Sequence, residues 1–126
     1  MRVALDTSAI LAVIFDESGT ERVVPLLGEA IISAVNVAEV VTKLVERGFG
    51  DDAARETIDG FRLTIMPFDN ETAMKAGLLR RLTISKGLSL GDRACLALAI
   101  QEKAQVITAD RIWAELDLGI AIEVVR

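Results

Sequence analysis

Four acidic residues, Asp6, Glu39, Asp92 and Asp110, stand where an acid is hard to explain by folding alone. Asp6 ends the apolar run Val3-Ala4-Leu5, and Asp110 follows Val106-Ile107-Thr108-Ala109. Glu39 interrupts Val35-Asn36-Val37-Ala38-Glu39-Val40-Val41, and Asp92 stands just before the most apolar stretch of the chain, Ala94–Ile100. Carboxylates are rarely buried unless they are paired, hydrogen-bonded or holding a cation. Four of them drawn from distant segments of a chain with no histidine point to an oxygen-ligand site for Mg²⁺ or Mn²⁺.

The elements that must position them follow from the apolar pattern. Short β-branched runs predict strands near 2–6, 30–34, 63–67, 105–108 and 121–125. Helical spacing predicts helices near 8–16, 19–27, 36–47, 51–60, 70–85, 90–103 and 111–117. In the third of these Val37, Val40, Val41, Leu44 and Val45 recur on one face, and in the fifth Ala73, Ala76, Leu79 and Leu82 do so. The strands read as continuously apolar, as parallel strands covered on both faces do. Strands separated by helices imply right-handed crossovers and an α/β fold, a three-layer α/β/α sandwich with a mainly parallel sheet. In such a sheet ligands bind beyond the C-terminal strand ends. Asp6 and Asp110 fall at two such ends, and Glu39 and Asp92 fall at the starts of helices beginning on the same edge.

Composition narrows the chemistry. A chain of 126 residues, 52% hydrophobic and 4% aromatic, predicts one domain over 1–126 with an aliphatic core. The single cysteine, Cys95, lies inside the apolar stretch and reads as a small buried hydrophobe. One cysteine and no histidine argue against a zinc site. No apolar run approaches the roughly 18 residues of a membrane span. The N-terminus starts like a signal peptide, but Asp6 falls within its would-be hydrophobic region and no small-residue cleavage site follows. A reducing, cytoplasmic setting is expected. A net charge of −5 argues against holding nucleic acid by electrostatics alone, yet clustered carboxylates account for four of those charges and bound cations would invert the local field. Lys43, Arg47, Arg80, Arg81, Lys86, Arg93 and Arg111 remain for a basic rim, although each also fits a solvated helix face.

Each acid has a purely structural alternative. Asn36-Val37-Ala38-Glu39 and Ser89-Leu90-Gly91-Asp92 both fit a capping box, and Asp6 and Asp110 could each cap the helix that follows. Capping explains the four sequence positions one at a time. It does not explain why they should meet at one sheet edge.

Leu5-Asp6-Thr7-Ser8-Ala9, Asn36-Val37-Ala38-Glu39-Val40, Leu88-Ser89-Leu90-Gly91-Asp92-Arg93-Ala94-Cys95-Leu96-Ala97 and Val106-Ile107-Thr108-Ala109-Asp110 together resemble a PIN-domain ribonuclease, most closely a toxin of the VapC type from a type II toxin–antitoxin pair. The resemblance covers nearly the whole chain and keeps the acidic quartet intact. It implies a Mg²⁺- or Mn²⁺-dependent endoribonuclease acting on an RNA substrate. Asp6, Asp92 and Asp110 would ligate metal, Glu39 would do so directly or through water, and Thr7, Ser8 and Thr108 would orient them. It also implies a homodimer silenced by a small antitoxin protein. Arg93 and Arg111 read as surface or packing residues in preference to phosphate ligands. Two other readings compete: an RNA-processing nuclease of the same fold, and a Mg²⁺-binding receiver-like signalling module. The second is disfavoured because the first strand ends in Asp6 alone and no lysine follows Lys103.

Overall fold

The computed structural model describes residues 2–126. Five parallel strands form one sheet in the order β3-β2-β1-β4-β5, with β1 at Val3–Leu5, β2 at Ala30–Ser33, β3 at Thr64–Met66, β4 at Gln105–Thr108 and β5 at Ile122–Val124. The three central strands are almost wholly buried, as their unbroken apolar runs predict. The edge strand β3 is not: its middle residue Ile65 is 46% exposed, because an edge strand has only one neighbour to cover it.

Alternate residues of the strands feed two cores. Val3, Leu5, Ile32 and Ile107 pack with α1 (Thr7–Ile14), α3 (Ala34–Glu46) and α4 (Asp51–Gly60). Ala4, Ile31 and Val106 pack on the other face with α5 (Asn70–Leu78), α7 (Leu90–Glu102) and Trp113. The result is the expected three-layer sandwich. Ala94 through Ala99 of α7 are all buried, so this helix is apolar all round and its N-terminus is fixed by packing. Burial also pushes the Cys95 thiol well above its ordinary range, consistent with a core residue.

The order 3-2-1-4-5 places the topological switch between β1 and β4. Receiver-type folds have the order 2-1-3-4-5, so the topology removes the signalling-module alternative.

Several helix boundaries differ from the sequence reading. Helix 19–27 is a short α2 (Thr20–Val23) followed by a 3-10 segment, Val24–Glu29, in which Pro25 supplies no N–H for an α-helical bond. Helix 70–85 breaks at Leu79 into α5, α6 (Arg80–Thr83) and a 3-10 turn; Thr83 Oγ1 bonds back to the Leu79 carbonyl. Only Ala76 and Leu79 of its anticipated apolar stripe are buried, and Leu82 is 63% exposed. Helix 111–117 is a 3-10 turn over Arg111–Glu115. Helix α3 starts at Ala34, capped by Ser33, so Asn36 is not its N-cap and Glu39 lies in the second turn, not at the third position.

Candidate active site

The switch point explains the convergence. Asp6 leaves β1, its N–H still on the ladder to the Ile107 carbonyl, and Asp110 leaves β4 two residues past its end. Asp6, Glu39, Asp92 and Asp110 all line one cavity of about 360 Å³, together with Thr7, Ser8, Leu11, Thr42 and Lys43.

Asp6 is the most constrained. It caps α1, accepting from the Ala9 N–H at 2.9 Å, from Ser8 Oγ at 2.8 and 2.9 Å, and from Thr108 Oγ1 at 2.5 Å. Only 3% exposed, its carboxyl is pushed up to about 6, chiefly by burial; the three hydrogen bonds oppose that rise without cancelling it. Ser8 Oγ also accepts from the Ala109 N–H, and Thr108 Oγ1 from the Asp110 N–H. The two hydroxyls therefore tie the ends of β1 and β4 around one carboxylate. Ser8 and Thr7 reach the cavity wall, whereas Thr108 stands behind Asp6.

Asp92 and Asp110 each cap an element and also line the cavity. Asp92 completes a reciprocal box with Ser89, accepting from its N–H at 2.9 Å while Ser89 Oγ accepts at 3.2 Å. Asp110 caps the 3-10 turn by accepting from the Ile112 N–H at 3.1 Å. Burial raises the pKa of Asp92, and the charges of Glu39 and Asp110 raise it further, so these side chains lie within reach of one another's field. As placed, each carboxylate is turned to its own partners, and no three acids among the described residues are gathered tightly enough to hold an ion. The cavity thus has the donor set for a hard divalent cation but needs side-chain rotation to close around one.

Two residues at the site were not anticipated. Asn36, 1% exposed, donates from Nδ2 to Glu39 Oε1, Thr7 Oγ1 and the Gly91 carbonyl, each at 3.1 Å. Thr7 Oγ1 donates to the same Glu39 oxygen at 2.5 Å. Three acceptors around the amide nitrogen fix its orientation, and they leave Oδ1 buried without a partner. A Cβ on Gly91 would fall on the Glu39 carboxylate, although the φ of Gly91 lies outside the left-handed region. Here glycine supplies room, not backbone freedom. Gly91 is the second residue of α7, outside the helix interior where glycine costs about 1 kcal/mol relative to alanine, so the sequence carries no signal that marks it. Arg93, by contrast, donates to the Ala76 carbonyl at 3.1 Å, away from the cavity wall, in the packing role expected of it.

The model of the PIN domain matches residues 3–118. This chain belongs to the PIN domain family. Among curated proteins none matches significantly. Solved structures similar to this PIN domain include the DNA-bound VapBC from Salmonella typhimurium, at 22% identity over 98% of this chain and 97% of that one, with a TM-score of 0.73. VapBC2 from Rickettsia felis, bound to a promoter DNA fragment, is 24% identical over 98% of both chains, with a TM-score of 0.71. The sarcin-ricin loop cleaving toxin VapC20 of Mycobacterium tuberculosis is 15% identical over 94% and 98%, with a TM-score of 0.72.

In this PIN domain Gly91→Ala tests the seat of Glu39. Alanine suits a helix better than glycine, so the fold should lose little. The Glu39 carboxylate must move, and a Mn²⁺ affinity that depends on Glu39 should fall roughly tenfold or more, the scale of lost support around a ligand, read as a smaller Mn²⁺ shift in melting temperature. Undiminished Mn²⁺ affinity would show that Glu39 does not need this seat.

Proposed function

We propose that the chain is a Mg²⁺- or Mn²⁺-dependent endoribonuclease and the toxin of a toxin–antitoxin pair. The observation that carries this reading is the single cavity at the β1/β4 switch lined by Asp6, Glu39, Asp92 and Asp110 in a PIN domain. The similar structures support the toxin role: two are VapBC assemblies on DNA, one is a sarcin-ricin loop cleaving toxin, and VapBC-5 of Mycobacterium tuberculosis is a member of the VapBC family of toxin–antitoxin systems.

In this reading Asp6, Asp92 and Asp110 hold the cation, and Glu39 holds it directly or through water. A divalent cation bound there supplies an acidified water and neutralises charge developing at the phosphate, chemistry that requires no histidine. Ser8 and Thr108 fix the orientation of the Asp6 carboxylate at the cavity wall through their hydroxyl hydrogen bonds. Thr7 and Asn36 do the same for one oxygen of Glu39 and leave the other for the cation. Toward pH 6 and below, the buried Asp6 carboxyl holds a proton that would compete with a cation for the site.

The partners are an RNA substrate, an antitoxin that brings a cationic side chain to the acidic cavity, and a second copy of the chain. The exposed Met74, Leu78, Leu82 and Ile84 on one continuous segment support self-association. Among the described residues no helix is long and apolar enough to cross a membrane, and we place the protein in the cytoplasm.

Purified protein should fragment cellular RNA with Mn²⁺ and lose this activity in EDTA. Its expression alone should arrest bacterial growth, and co-expression of the protein encoded upstream should relieve the arrest. Cleavage without arrest would assign the chain to RNA processing, and no cleavage of any cellular RNA with Mn²⁺ would overturn the nuclease reading.

A further inference from the structure

Two stripes of side chains leave the acidic cavity together. On α3 and its C-cap, Glu39, Lys43 and Arg47 recur every four residues; on α1 and its C-cap, Thr7, Leu11 and Phe15 do the same. Residues four apart share a helix face, so each stripe runs one way over about 12 Å of axis. Leu11 and Lys43 line the acidic cavity and also a second cavity of about 300 Å³, whose walls include Phe15 and Arg47. The two cavities therefore adjoin across Leu11 and Lys43, and the two stripes run from one into the other.

Its charges are graded. Lys43 is the one cation on the wall of the acidic cavity. The Arg47 guanidinium carbon lies 4.3 Å from the centroid of the Phe15 ring, and Arg47 joins no ion pair among the described residues. Two acids share the outer cavity, and each is already engaged: Glu17 with Arg126 at 3.3 Å and Glu46 with Lys43 at 3.4 Å. Exposed pairs of this kind contribute little, so Lys43 can exchange Glu46 for a phosphate at small cost. An arginine stacks on aromatic faces and nucleobases through its guanidinium plane, which lysine cannot reproduce.

We propose that these adjoining cavities seat the RNA strand beside the cleaved bond, with Lys43 on a phosphate and Arg47, backed by Phe15, stacked on a base. The assignment rests on the nuclease reading of the acidic cavity. An RNA strand is favoured over an acidic peptide because the cationic stripe starts at the proposed reaction centre and ends on a π-stacking platform.

The test is fluorescence anisotropy of a labelled single-stranded RNA with Asp110→Asn protein in Mn²⁺ across a salt series, with Lys43→Ala, Arg47→Ala and Arg47→Lys added to it. Lys43→Ala should flatten the slope of log affinity against log salt by about 0.7, one phosphate contact on a single strand. Arg47→Lys should keep the slope but bind at least about fivefold more weakly, since it loses stacking alone. Arg47→Ala should weaken binding at least as much as Arg47→Lys and change the slope less than Lys43→Ala does, since Arg47 is assigned to a base. In the otherwise wild-type chain, neither Arg47 variant should alter the Mn²⁺-induced shift in melting temperature. Parental affinity and slope in all three variants, with RNA binding and Mn²⁺ response intact in their parents, would overturn this seat and leave the nuclease reading standing. A wild-type chain that ignores Mn²⁺, beside an Asp110→Asn chain that binds no RNA, would sink both. Variants that bind RNA normally but lose the protein encoded upstream would assign this surface to a protein partner instead.

Discussion

Asp92→Asn is expected to lose at least about a hundredfold in RNA cleavage, the upper end of what even supporting groups around a metal contribute, with little change in folding stability. The structure gives Asp92 two tasks that this substitution separates. Its Oδ2 accepts from the Ser89 N–H in the box that starts α7, and an asparagine oxygen can still accept that bond. Its carboxyl, however, has its pKa raised chiefly by burial and further by the charges of Glu39 and Asp110. Removing the charge relieves that repulsion while weakening any hold on a divalent cation. In EDTA the mutant should therefore melt no more than about 1 kcal/mol below wild type, the usual scale of a lost cap, and it can melt above it. Mn²⁺ should stabilise wild type and barely affect the mutant. Thermal melts with and without Mn²⁺, beside an RNA cleavage assay, read both quantities. A destabilised but fully active Asp92→Asn would leave capping as the sole role of this carboxylate.

Capping and convergence compete as readings of the sequence, whereas in the structure the same carboxylates cap and line one cavity. Asp6, Asp92 and Asp110 each cap a helix or turn and each face the cavity. A carboxylate pinned by a backbone N–H has its orientation fixed, so the caps help hold these side chains at the cavity. These three were legible because each sits against an apolar run that must be buried, and the order of strands and helices then places them on one edge. Glu39 was legible as a residue but not in its setting. An asparagine three residues before a glutamate imitates a helix start, and nothing local to Asn36 reveals that Ser33 caps the helix instead. Gly91 was illegible for a different reason. Its role is a close approach between α7 and a side chain of α3, distant in sequence, which no local pattern encodes. The long helix anticipated over 70–85 failed because helical spacing can persist across a break: Ala76 and Leu79 are buried, yet Leu82 points to solvent.

In the absence of divalent cations the protein should become more stable as the pH is lowered from about 7.5 to 5, the reverse of ordinary acid destabilisation. The cause is Asp6, whose carboxyl stands at about 6 in the fold against 3.8 in the reference state, raised mainly by burial. A raised carboxyl means that the folded chain holds its proton more tightly than the unfolded one. Its contribution is therefore complete below the unfolded value and is lost as the pH rises through the folded one. The difference of roughly two units corresponds to about 3 kcal/mol across the whole window, of which about 1–2 kcal/mol falls between pH 7.5 and 5. Asp92 shifts in the same direction and adds to the effect. Mn²⁺ should reverse the trend, since the cation competes with the proton and stabilises most where the carboxylates are ionised. Asp6→Asn should flatten the profile in EDTA and hold its stability at pH 7, because Ser8 and Thr108 can rotate their hydroxyls to meet an amide. Melting curves over this pH range, with EDTA and with Mn²⁺, decide the matter. A wild-type melting temperature that falls steadily from pH 7 to 5 in EDTA would show that burial does not hold the Asp6 carboxyl above its ordinary value in the fold.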